Sequence, residues 1–417
     1  MSAIEFIAEA DHPTGAVALL RSTSTIRARA QGLLARARRG ESLYFSVHDD
    51  ALPGTAALVA EVTTSRYPDL KIPYHSRWRH FEAGGVNRAA WLDQALGAAG
   101  RADRARAQID LALVSVLLDA GAGPDWQYRE AATAQSFTRS EGLGVASFHA
   151  FMGGLFSSDA SQPLQVDARG LQHLNVERLA AAFQVQAGNP LVGLEGRAAL
   201  LRRLGDELAG QALIFGAQGR PGGLFDALTQ GSAAAQVQAS DLLSLLLSSL
   251  APIWPAQNAI ENIALGDCWR HSAVGGEGLS EGWMPFHKLS QWLTYSLLEP
   301  FESAGVAVTG LNALTGLPEY RNGGLLLDSG VLRLKDEALA SQTHQVGDEF
   351  IVEWRALTVA LLDELAPLVR ARLGLSEAQM PLASVLEGGT WAAGRVLAQR
   401  LRGGTPPLQI ESDGTVF

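Results

Sequence analysis

The sequence predicts a mainly α protein with a few short strands, folded as one compact unit. Three observations carry that expectation. Apolar residues recur at helical spacing over long stretches, most continuously between about residues 170 and 250. Hydrophobic residues make up 47% of the 417 and charged residues 18%, so the chain can bury a large core and is not of disordered composition. Only short runs, such as Leu43-Tyr44-Phe45-Ser46-Val47 and Phe350-Ile351-Val352, are β-branched or aromatic enough to be extended. There is no repeat of fixed period and no low-complexity linker. A rough division is an N-terminal lobe over 1–170 and a C-terminal lobe over 171–417.

Ser24 or Thr25 can cap a first helix running through Arg27 and Leu33 to Gly40. The strand at 43–47 ends in His48-Asp49-Asp50, and Pro53 suits the first turn of the next helix. A long helix is expected around 104–119, closed by Gly121, Gly123 and Pro124. Leu194-Glu195-Gly196-Arg197 opens another, and 242–250 form a buried one. Residues 251–285, with Pro252, Trp254, Pro255 and a run of glycines, break the pattern and read as a long functional loop. Helices resume at 286–298, after a strand-to-helix switch at Glu353, and at 390–401, where Thr390 is a candidate N-cap.

The formal charge of −10 argues against non-specific nucleic-acid binding, which needs a broad cationic face. Only three of the 33 basic residues are lysines, so Lys288 invites individual attention. A single Cys268 excludes an internal disulfide and thiolate-rich zinc sites, consistent with a reducing compartment. With no basic-then-apolar leader at the N-terminus and no apolar run near 18 residues, a cytoplasmic protein without a membrane span is expected.

The densest cluster of functional groups is Tyr74-His75-Ser76-Arg77-Trp78-Arg79-His80-Phe81-Glu82. If the stretch is extended, Arg77 and Arg79 share a face and hold an anion with His75 or His80; the alternative is a surface strand with Trp78 buried behind it. His75 and His80 with His48 and Asp50 would be a metal set, but the neighbouring arginines repel a dication. Cys268-Trp269-Arg270-His271 offers two ligands with nothing to complete them, so no metal is expected. His287-Lys288 stands at a helix start, where a lysine opposes the helix dipole and calls for an acidic or phosphate partner. Glu319-Tyr320-Arg321-Asn322-Gly323-Gly324 sets an acid and a base at another helix start, whose N–H groups are candidates to receive an anion. Glu353-Trp354-Arg355 is the third such triplet. Dinucleotide-binding and P-loop signatures are missing, and no nucleophile elbow is expected. The inventory fits cofactor-free hydrolysis of a phosphorylated small molecule.

These motifs, together with Leu43 through Asp50, Asp119 through Trp126, Arg139-Ser140-Glu141-Gly142 and Glu387-Gly388-Gly389-Thr390-Trp391, resemble the uracil-catabolism family of fungi and bacteria over nearly the whole chain. The order of weaker pieces, including Ser22 to Arg27, Leu194 to Arg197, Phe286 to Thr294 and Val352 to Arg355, is similar to the queuosine 5′-phosphate N-glycosylase family. The latter resemblance implies a helical fold like that of helix-hairpin-helix DNA glycosylases, with 171–417 as the glycosylase-like lobe. In that family an aspartate two residues after the counterpart of Phe286 acts in catalysis; here the position is Lys288, so the role does not carry over. The two resemblances together imply cleavage of the N-glycosidic bond of a ribosylurea 5′-phosphate, giving urea and ribose 5-phosphate. A metal-dependent ring-opening amidohydrolase and a non-catalytic nucleotide-binding protein are the alternatives.

Such a reaction needs a carboxylate beside the anomeric carbon, a base for water and a donor for the leaving nitrogen. His48, Asp49, Asp50 and Glu353 are the catalytic candidates. Phe45, His75, Arg77, Trp78, Arg79, His80, His287, Lys288, Glu319, Arg321, Trp354 and Arg355 are the candidates for binding the phosphorylated riboside.

Overall fold

The computed structural model describes residues 10–119, 121–230, 236–254 and 258–411; Met1 to Glu5, Pro255 and one residue of the Asp119–Trp126 motif lie outside these. Helices dominate, and strands of two or three residues pair into six two-stranded sheets among the described residues. The mainly α expectation holds. The chain divides into two compact units that interleave in sequence, rather than at a cut near residue 170. The first draws on residues 1–75, 256–291 and 311–412, the second on 76–255 and 292–310.

In the first unit the 25-residue helix Glu349–Leu373 packs against the helices Thr23–Arg38 and Leu52–Arg66. It is buried continuously from Phe350 to Leu362. That burial overrides the β preference of Phe350-Ile351-Val352, expected to be extended: the Val352 N–H bonds Asp348 O at 2.9 Å as the helix begins. Thr23–Arg38 is capped by Ser22, whose hydroxyl accepts the Thr25 N–H at 3.2 Å, not by Ser24 or Thr25. Strand Phe45–Val47 pairs antiparallel with Leu332–Leu334, and Pro53 occupies the first turn of Leu52–Arg66 as its fixed φ favours.

Tyr320–Asp328 packs along Trp391–Arg402, the backbone of Arg321 lying against Gly394. Thr390 caps nothing: it has helical angles and ends a π-helical turn, Leu386–Thr390, that runs straight into Trp391–Arg402. The glycines of this turn serve close packing. A Cβ on Gly389 would stand 2.5 Å from Thr63 Oγ1 and 2.6 Å from Val59 O. Residues 258–285 form the irregular segment the sequence marks, stiffened by hairpin pairings of Ala259–Ile260 with Ile263–Ala264 and of Cys268–Arg270 with Trp283–Pro285. Cys268 is buried among Ala16, Val17, Leu20 and Trp283, and burial pushes its thiol far up, so it is inert packing.

The second unit packs Arg101–Leu117 against Arg139–Met152, and Leu194–Gly210 along Ala168–Gln172. Residues expected to be extended at Arg77 and Arg79 instead form a helical turn, Trp78–Phe81. Successive side chains therefore part by about 100° and the two arginines separate: Arg77 is fully buried, Arg79 half-buried. Gly144 lets the turn seat closely, since a Cβ there would lie 2.8 Å from His80 Cβ. No described helix is long and apolar enough to cross a membrane.

Two glycine replacements test this packing. Gly389→Ala should lower apparent stability in urea unfolding by about 1–3 kcal/mol through overpacking. Gly32→Ala, at an exposed helical position with open space around it, should raise stability by roughly 0.5–1 kcal/mol.

Candidate functional site

Glu353, Trp354 and Arg355 are consecutive on the long helix, so they point in three directions and bind three different parts of the first unit. Glu353 is 2% exposed, and its Oε2 lies 3.2 Å from His271 Nε2. His271 Nδ1 accepts the Ala273 N–H at 3.1 Å, which leaves the ring proton on Nε2 to donate to Glu353. Glu353 Oε1 is buried with no hydrogen-bond partner. A carboxylate oriented through one oxygen and open at the other is suited to act on a bound group.

Arg355 grips Asp267 with two bonds of 2.8 Å and lies 4.1 Å from the centre of the Phe286 ring. Asp267 also accepts the Lys288 N–H at 2.9 Å and the Trp269 indole N–H at 2.8 Å. Burial pushes the Asp267 carboxyl up, but Arg355 and these donors outweigh it and bring it to about 2. Trp354 donates to Gly323 O at 3.2 Å and Arg355 Nε to Pro318 O at 3.4 Å. These two bonds fasten the helix to the turn that carries Glu319.

Glu319 caps Tyr320–Asp328, accepting the N–H groups of Asn322 at 2.6 Å and Arg321 at 2.8 Å. The amides expected to receive an external anion are thus occupied by the protein's own carboxyl. Burial raises the Glu319 pKa; the two N–H bonds and the nearby charges of Lys288 and His75 pull it down without reversing the shift. His75 Nδ1 is 2.8 Å from Glu387, which also binds Arg66 at 2.7 Å and the Tyr67 hydroxyl at 3.0 Å. Burial opposes ionisation of Glu387, but these donors hold it at about 2, so His75 Nδ1 carries the proton.

Other candidates have different surroundings. Phe45 is a core residue, stacked on Phe350 at 5.2 Å. His48 is half-buried with Nε2 3.1 Å from the Ser46 hydroxyl. Asp49 and Asp50 lie on an exposed turn, Asp49 held by Arg38, which also binds Glu364. His287 Nε2 donates to Leu20 O at 3.0 Å, and burial brings its pKa down to about 4, so its ring is neutral and its N–H is committed. The Arg321 guanidinium lies over the Tyr320 ring. In the second unit Arg77 pairs with Asp119 at 2.9 Å and donates to Ser115 at 2.6 Å. Trp78 bonds Ser296 O, Arg79 pairs with Glu299 at 3.1 Å, and His80 meets Trp292 edge-on. Arg77, Arg79 and Arg355, read as phosphate ligands, are therefore each matched by a carboxylate of the same unit.

The roles of Asp267, His271 and Glu387 were not legible as partnerships. Their types and the loop or glycine motif around them stood out, but the partners lie 82 to 312 residues away. Gly278-Leu279-Ser280-Glu281-Gly282 matches the G-x-S-x-G spacing that was not expected; it is a 3₁₀ turn, not a strand-to-helix elbow, and the buried Ser280 hydroxyl is tied to Glu277 O and Arg29. Among the described residues no group of three or more His, Cys, Asp or Glu is placed to hold a metal ion.

A family model described as "Protein of unknown function (DUF1688)" matches residues 19–417. The chain belongs to this family. It is 42% identical to "Protein urg3" of Schizosaccharomyces pombe over 97% of this chain and all of that protein. It is 39% identical to "Uracil catabolism protein 4" of Lachancea kluyveri over 88% of this chain and 90% of that one. The resemblance to the uracil-catabolism family, drawn from the motifs, holds over nearly the full length.

The buried Asp267–Arg355 pair has a signed pH dependence. Asp267 titrates at about 2 in the fold against an ordinary 3.8, so its contribution is complete above about pH 4 and lost as pH falls toward 2. Arg355→Leu strands the carboxylate and should cost about 3–5 kcal/mol at pH 7, with a smaller deficit at pH 3, where Asp267 can protonate. Urea unfolding of both proteins at the two pH values measures this.

Proposed function

We propose that this chain acts in uracil catabolism, hydrolysing the N-glycosidic bond of a ribosylurea 5′-phosphate to urea and ribose 5-phosphate. The pathway rests on the relative named for uracil catabolism; the reaction class rests on the motif order similar to N-glycosylases. The observation that carries the chemistry is Glu353: buried, oriented by His271, with Oε1 unpartnered.

Cleavage proceeds through a cationic, oxocarbenium-like sugar. Glu353 Oε1 stabilises that charge and accepts a proton from the attacking water, whose oxygen bonds to the anomeric carbon as the carbon–nitrogen bond breaks. The electron pair leaves with the ureido nitrogen, which must be protonated because urea is a poor leaving group. Glu319, kept protonated to higher pH by burial, supplies that proton. Lys288 and His75, whose charges act on Glu319, receive the phosphate. Trp354 forms part of the apolar wall. In this reading Glu353 and Glu319 take the work first sought at His48 and Asp50.

Incubation with enzymatically made ribosylurea 5′-phosphate, read by mass spectrometry, should show urea and ribose 5-phosphate. Glu353→Gln should lower kcat by about 10²–10⁴-fold. No release above background by the wild type sinks the reading. A ring-opened product from a pyrimidine substrate would favour the amidohydrolase, and binding without turnover a nucleotide-binding protein. The rate should fall on the basic side, at a pH above the ordinary carboxylate range, as Glu319 loses its proton; Glu319→Gln should abolish that limb of the kcat/KM profile.

A further inference from the structure

Two side-chain amides in the first unit are fully buried and half satisfied. Gln291 Oε1 accepts the Thr315 N–H at 3.3 Å, while Gln291 Nε2 has no partner. Asn322 Nδ2 donates to Leu317 O at 3.1 Å, while Asn322 Oδ1 has none. Both residues are 0% exposed. The orientation of each amide follows from its neighbour: a backbone N–H only donates, and a backbone carbonyl only accepts. The open atoms are therefore one donor and one acceptor.

We infer that Gln291 and Asn322 recognise a carboxamide or ureido group, Gln291 Nε2 donating to its carbonyl oxygen and Asn322 Oδ1 accepting from its amino group. The mixed polarity selects the ligand. A phosphate or carboxylate needs donors only and would be repelled by Asn322 Oδ1; a cation needs acceptors only and would be repelled by Gln291 Nε2. The anchors of the two amides, Thr315 and Leu317, are two residues apart, so their Cα atoms lie within about 7 Å of each other and one short segment holds both amides. The same segment reaches the long helix, through Pro318 O to Arg355 and Gly323 O to Trp354. Leaving two buried polar atoms open is costly in the free protein, and a ligand offering one acceptor and one donor removes the cost. The inference deepens the glycosidase reading by naming what holds the leaving group, and for that role it rests on that reading; binding of the group alone does not.

Saturation-transfer NMR with N-methylurea, acetamide and inorganic phosphate as probes tests it in wild type, Gln291→Glu and Asn322→Leu. Gln291→Glu keeps the acceptor for Thr315 and removes only the open donor; circular dichroism confirms each fold. Wild type should bind N-methylurea and acetamide, both variants about 10- to 100-fold more weakly, with phosphate binding unchanged. Equal binding of N-methylurea by all three proteins, or none by wild type, overturns the inference; the open atoms then hold only water. With ribosylurea 5′-phosphate, both variants should raise KM by a similar factor with a smaller change in kcat. Amide binding without turnover by wild type removes the glycosidase reading and leaves this one standing. Turnover with unaltered KM in both variants does the reverse.

Discussion

The two-pronged bond between Arg355 and Asp267 is the constraint on which the first unit's site depends. It joins the second turn of the long, largely buried helix to an irregular loop, and the same carboxylate closes the start of Lys288–Ser303 through the Lys288 N–H. Once Arg355 is fixed, the rotation of the helix is fixed. Trp354 must then turn toward Gly323, where any side chain would collide with the indole, and Glu353 toward His271. Removing two charges from water gives such a pair little net stability, so its value lies in selecting one arrangement of helix, loop and turn.

That arrangement sets two carboxyl groups in contrasting surroundings. Glu353 has one oxygen steered by an imidazole and the other open. Glu319 has both oxygens engaged by backbone N–H groups and is nonetheless pushed toward its neutral form by burial. Environments that separate two acids in this way are what acid–base chemistry at neutral pH requires. His75 is held similarly to His271, by a carboxylate on one nitrogen, but with the roles of ring and acid differently weighted: Glu387 is gripped by Arg66 and Tyr67 as well.

The helical character, the proline-led second helix, the start at Leu194 and the irregular 258–285 segment were legible because each follows from local chemistry. Errors arose where distant packing decided. Phe350-Ile351-Val352 is β-prone in isolation and helical when every side is buried; the arginines of the 75–82 cluster reach carboxylates that only the fold supplies. Thr390 reads as a cap from its position in the sequence, whereas the smallness of Gly388 and Gly389 before it serves contact with Val59 and Thr63 inside a continuous helix. Glu353 was singled out by its flanking Trp and Arg, yet its orienting histidine lies 82 residues earlier. Lys288 illustrates the mixture. The residue type suggested that charge at this helix start is reversed, but a carboxylate does stand there, contributed by Asp267 and matched by Arg355.

The interleaving of the two units has a consequence for biosynthesis. All of the second unit's described segments have been synthesised by residue 310, while the first still lacks the segment 311–411 that supplies its central helix. The helices Thr23–Arg38 and Leu52–Arg66 must therefore wait on the ribosome for Glu349–Leu373, encoded far downstream, on the order of tens of seconds at ordinary elongation rates. The faces that pack against that helix stay uncovered until then, which makes this nascent segment, rather than the finished protein, the form most in need of a chaperone.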